Sequence, residues 1–92
     1  MKNTQKQIDF VLSGFDFKKS QMVIEVIYAY LGKSRMDVPS IQKLRQIARH
    51  CLEQADKNDI FEFGMFEAIK EDGIFELRLV AEKSNPLSNL FK

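Results

Sequence analysis

The hydrophobic period along this chain changes once, and the change divides it into a helical half and a strand half. Between Thr4 and Ser13 the apolar side chains Ile8, Val11 and Leu12 have a helical spacing that Gly14 cuts short. Asp16 can cap the next segment and Gly32 can stop it. Between them Met22, Ile24, Ile27, Tyr28, Tyr30 and Leu31 are apolar on most sides of a helix. The β-branched residues Val23, Ile24, Val26 and Ile27 also score as a strand, but the length between cap and stop favours a largely buried helix. Lys33 to Val38 reads as a polar connection. Ser40, after Pro39, is placed to cap a third segment in which Ile41, Leu44, Ile47, Ala48, Cys51, Leu52 and Ala55 recur at amphipathic helical intervals up to Asn58.

From Ile60 the period becomes two. Residues 61–69 and 74–80 flank Asp72-Gly73, a dipeptide that supplies the positive φ angles of a tight hairpin turn. With those two as the loop, Phe66 faces Leu79, Ala68 faces Leu77 and Glu67 faces Arg78, giving one apolar face and one bearing a cross-strand ion pair. An isolated hairpin is marginal in water, so its apolar face needs the helices. The expectation is an α+β fold of order α-α-α-β-β, with two to three helices on one face of an antiparallel β-hairpin.

At 92 residues the chain has room for a single core, and residues 1–83 are expected to form one domain. Residues 84–92 are a turn-prone tail around Leu87, Leu90 and Phe91. A hydrophobic content of 45% with 29% charged residues is a globular composition. The first apolar cluster is too short and too broken by Asp9 for a signal peptide. The longest apolar stretch, Met22 to Leu31, contains Glu25 and falls short of a membrane span. A free Cys51 suits a reducing compartment, so the expected location is a bacterial host cytoplasm with no membrane attachment.

Candidate chemistry thins under the same treatment. One Cys and one His make neither an internal disulfide nor a His-based metal cage, and no cofactor or metal is expected. His50 and Cys51 are adjacent, yet neighbours on a helix point about 100° apart, so they do not form a nucleophile and base. The four glycines are isolated, which removes both common phosphate loops. The carboxylates Glu62, Glu67, Glu71 and Asp72 fall on strand faces or the turn, where solvated charges protect edges. The chain is not expected to be an enzyme.

Two binding modes survive. In a winged-helix arrangement, the alternative reading, the third helix would present Gln42, Arg45, Gln46 and Arg49 to a major groove. Against it, residues 60–83 carry six acidic and three basic side chains, and an acidic wing repels phosphates, so nucleic acid is not the expected partner. The other mode is protein contact, for which Tyr28, Tyr30, Leu87, Leu90 and Phe91 are the candidate anchors. The segment Leu87-Ser88-Asn89-Leu90-Phe91 resembles short C-terminal peptides that dock in the apolar groove of the bacterial sliding clamp.

Phe15-Asp16-Phe17, Tyr28 with Tyr30, Val38-Pro39-Ser40-Ile41, Gly64-Met65-Phe66-Glu67-Ala68 and Phe75-Glu76-Leu77-Arg78-Leu79 together resemble a group of small bacteriophage and prophage accessory proteins over residues 15–82. This chain departs from that pattern in having no Trp and in placing Met65 where a second Gly is common. The resemblance implies a non-enzymatic protein that binds and inhibits a host or defence protein. A small-ligand-binding oligomer is a further alternative. Self-association into a homodimer, across an edge strand or between apolar helix faces, would complete an open sheet.

Overall fold

The computed structural model describes residues 3–80. Three helices precede an antiparallel sheet: α1 (Asn3–Gly14), α2 (Phe17–Tyr30), α3 (Ile41–Asn58), β1 (Ile60–Phe63), β2 (Phe66–Glu71) and β3 (Ile74–Leu79), in the spatial order β1-β2-β3. The α+β class and the helical order stand as the sequence predicts. The predicted register stands too, with Phe66 opposite Leu79, Glu67 opposite Arg78 and Ala68 opposite Leu77.

The two-stranded sheet is corrected to three strands. Residues 61–69 are not one strand, because Gly64 and Met65 adopt φ angles of 59° and 78° and fold β1 back on β2, placing Phe63 opposite Phe66 and Ile60 opposite Ile69. Two successive positive φ angles are the geometry of a tight hairpin turn, and a Met in the second position hides that turn from a search for Gly and Asn. The turn also explains why a second Gly is common here in the group the chain resembles. The polar connection is likewise not wholly irregular: Arg35–Asp37 form a 3₁₀ turn whose cap, Ser34, accepts a hydrogen bond from the Met36 amide at 3.0 Å. Leu87, Leu90, Phe91 and the 83/84 boundary lie outside the described residues.

Caps set the helix ends. Asp16 Oδ1 accepts from the Lys19 amide at 2.9 Å and Ser40 Oγ from the Lys43 amide at 3.1 Å, each satisfying an amide that the helix leaves unpaired. α2 ends in a Schellman motif. Gly32, at φ 79°, donates to the Ala29 carbonyl and Lys33 to the Tyr28 carbonyl. α3 ends without glycine, Asp59 taking the left-handed conformation at φ 71° that Asp tolerates better than most residues.

α3 is the organising element, packed on α1, α2 and all three strands. Its stripe Leu44, Ala48, Cys51, Leu52 and Ala55 is fully buried against Phe66, Ala68, Leu77 and Leu79 of the sheet. Phe66 is the centre of an aromatic cluster, edge-on to Phe15 at 5.8 Å and to Phe17 at 6.1 Å. The sheet lies along one flank of α3, where Ile47 meets the Gly64 turn and His50 meets Phe61 and Phe63. On the opposite flank Arg45 reaches Phe17 of α2 and Arg49 reaches Asp9 of α1. Among the described residues no helix is long and apolar enough to cross a membrane.

Candidate functional site

α2 is apolar on two sides, which an ordinary surface helix is not. Its inner side, Phe17, Ser20, Ile24 and Ile27, is buried. Met22, Val26, Ala29 and Tyr30 recur at intervals of three and four residues and so share the opposite side; the three large ones are between 49% and 63% exposed. Lys18 and Lys19, one turn earlier on the same side, are exposed, and neither makes an ion pair among the described residues. The result is a solvent-facing apolar strip with two free cations at one end.

This geometry divides the sequence-predicted aromatic pair. Two residues along a helix is a rotation of about 200°, so Tyr28 turns inward, packing on the core with the Lys33 ammonium 5.1 Å above its ring. Tyr30 alone remains on the outer strip. The sequence reading missed Met22 and Val26 as surface residues because it took the whole segment for a buried helix. The available signal was excess: apolar residues filled more of the circumference than one contact with α3 can cover.

The winged-helix candidates Gln42, Arg45, Gln46 and Arg49 do come together, lining a shallow depression of about 390 Å³ with His50 and Glu53. Both arginines are already engaged within the chain. Arg49 Nη2 lies 2.7 Å from Asp9 Oδ1, and the Arg45 guanidinium stacks 5.2 Å above the Phe17 ring. They bind the other two helices to α3, so a phosphate would have to compete for them. The face also includes Glu53, which opposes a polyanion.

His50 and Cys51 behave as their helical spacing predicts. His50 is exposed between the edges of Phe61 and Phe63, at 5.5 and 5.7 Å. Cys51 is fully buried, its thiol 3.5 Å from the Phe63 carbonyl. Burial pushes the thiol up from 9.0 to about 11, which leaves too little thiolate at neutral pH for nucleophilic work. Among the described residues no three His, Cys, Asp or Glu side chains converge on a metal-sized space.

The sheet contributes a second surface. Side chains alternate along a strand, so Ile60 and Glu62, then Glu67, Ile69 and Glu71, then Ile74, Glu76 and Arg78 share the side turned away from the helices. Ile60 and Ile74 are exposed. Glu67, on the central strand, is 3% exposed and has Arg78 Nη1 at 3.8 Å from its carboxylate. Arg78 also bonds Glu76 at 3.3 Å, and that hydrogen bond raises the affinity of its guanidinium for the proton. The one concave apolar place is elsewhere: Phe10 and Val11 of α1 face Ile74 and Phe75 across an open cleft of about 450 Å³, with Lys6 at its rim.

No family model, no curated protein and no solved structure matches the chain.

Proposed function

We propose that the chain is a non-enzymatic interaction module, of the phage accessory type its sequence resembles, that binds a host or defence protein and inhibits it by occupying a surface. The observation that carries this reading is the outer strip of α2. Met22, Val26 and Tyr30 stand in water on a helix that already has a fully apolar inner side, and apolar side chains grouped in this way on a small domain mark contact sites. Lys18 and Lys19 at one end of the strip select for carboxylates, so the fitting partner surface is apolar at its centre and acidic at its rim.

The test is capture from bacterial lysate by immobilised wild-type chain, Val26→Glu and Arg49→Ala in parallel, with bound polypeptides identified by mass spectrometry. A polypeptide retained by the wild type and by Arg49→Ala but lost on Val26→Glu supports docking through α2. A polypeptide retained equally by all three removes α2 from the contact. DNA retention at low salt that is lost on Arg49→Ala would replace the proposal with the winged-helix reading.

A further inference from the structure

The sheet's outer side has the properties that the α2 strip calls for. Across the three strands Ile60 stands opposite Ile69, and Ile74 lies on the next strand, so three isoleucines run obliquely across that side. Glu62, Glu71 and Glu76 surround them, all exposed. Among the described residues Glu62 and Glu71 make no ion pair. From Met22 to Tyr30 the α2 strip is about 12 Å long, and two strand spacings between β1 and β3 cover about 10 Å. The two apolar patches are therefore of similar length and carry opposite charge.

They also face in different directions. α2 lies on the Arg45 and Arg49 flank of α3 and the sheet on the Ile47 and His50 flank, so one chain cannot close the two patches on each other. Symmetric contacts are unfavourable for the same charges. An antiparallel α2–α2 pair centred on Val26 sets Lys19 against Lys33 of the other copy, and two sheets packed by their outer sides set glutamates against glutamates.

We infer that the α2 strip of one copy docks on the outer side of the sheet of a second copy, a head-to-tail contact that rests on reading α2 as a docking surface. Met22, Val26 and Tyr30 cover Ile60, Ile69 and Ile74, and Lys18 and Lys19 meet the surrounding glutamates. Because the two patches differ, each added copy leaves one strip and one sheet uncovered, and the assembly grows without closing unless its rotation forms a ring.

Sedimentation velocity on the full chain, up to about 1 mM, tests this with two variants at exposed positions. Val26→Glu disables the strip and Ile74→Lys disables the sheet. The wild type is expected to gain mass with concentration, while each variant alone loses self-association by at least about tenfold, because an apolar contact now buries a charge. The decisive sample is their equimolar mixture: the intact strip of Ile74→Lys meets the intact sheet of Val26→Glu and gives a dimer that cannot extend. Two charge-reversed chains, Lys18→Glu with Lys19→Glu and Glu62→Lys with Glu71→Lys, repeat the mixture should either first variant lose its circular dichroism. A wild type that stays monomeric overturns the inference, as does a mixture in which the variants fail to complement. Monomeric wild-type chain whose captured lysate protein is still lost on Val26→Glu would overturn self-association alone and leave the proposed function standing.

Discussion

Phe66 shows what one side chain can carry in a domain this small. It is fully buried and touches both Phe15 and Phe17 edge to face, so it joins the α1–α2 corner to the central strand. Phe66→Ala should cost about 3–5 kcal/mol through lost burial and the cavity left behind, read as a lowered urea midpoint. Gly64 is constrained by a different cause. Its φ is +59°, and a Cβ there would sit 2.9 Å from Cγ2 of Ile47. Gly64→Ala should destabilise by about 1–3 kcal/mol, with part of the loss recovered in the double variant with Ile47→Ala; equal losses with and without Ile47 would show that the backbone alone is responsible. Cys51 sets a pH dependence. Its folded pKa is raised, so its contribution to stability is complete below pH 9 and is lost as the pH climbs from 9 to about 11. Denaturant titrations of wild type and Cys51→Ala should therefore converge across that interval, and a gap that stays constant would contradict the buried, protonated thiol. Of these three residues, the burial of Cys51 was legible in the sequence from helical spacing. The approach of Ile47 to Gly64 was not, because no local pattern encodes a contact between α3 and a turn seventeen residues on.

Helices and strands here differ in how openly their sequence declares them. α2 and α3 announce both ends through capping residues, and the hydrogen bonds from Asp16 and Ser40 bear this out. Asp16→Ala should cost about 1 kcal/mol, measurable as a fall in thermal midpoint without loss of the fold. The β2–β3 hairpin announces itself through Asp-Gly, and its register follows from counting outward from that turn. β1 does not, since Gly-Met carries half of the usual turn signal and the period of two runs unbroken through it. Its pairing has a cost the sequence conceals, with Glu62 opposite Glu67 on neighbouring strands. Like charges in that position are unfavourable. Glu62→Gln should accordingly stabilise the sheet by about 0.2–1 kcal/mol, seen as a raised denaturation midpoint, whereas a lowered one would mean that Glu62 is held by a contact of its own.

For the molecule as a unit, the consequence of three short helices and three short strands is an excess of surface over core. α3 is covered on two flanks, but α2 and the sheet each have a neighbour on one side alone, and both carry apolar residues on the side left over. The head-to-tail contact follows from that excess and from the separation of charge between the two patches. It also implies that added salt reduces the mass reached at a given concentration, by screening Lys18 and Lys19 from the opposing glutamates. A mass that rises with salt would mean that apolar burial dominates and charge does not choose the partner.

Local rules sufficed for what is local: the helical intervals of α3, the caps of α2 and α3, the Asp-Gly turn with its register, and the seclusion of Cys51 from His50. Each depends on residues a few positions apart, and so each could be read along the chain. Which side of an element meets water is a property of its neighbours. α2 looked buried because its own sequence is apolar nearly all round, and only the placement of α3 against one side shows that Met22, Val26 and Tyr30 are left outside. The same holds for Arg45 and Arg49, which look like free cations in sequence but are paired in space with partners from the other two helices. Burial and pairing are fixed by where distant segments come to rest, and packing determines that for the whole chain at once.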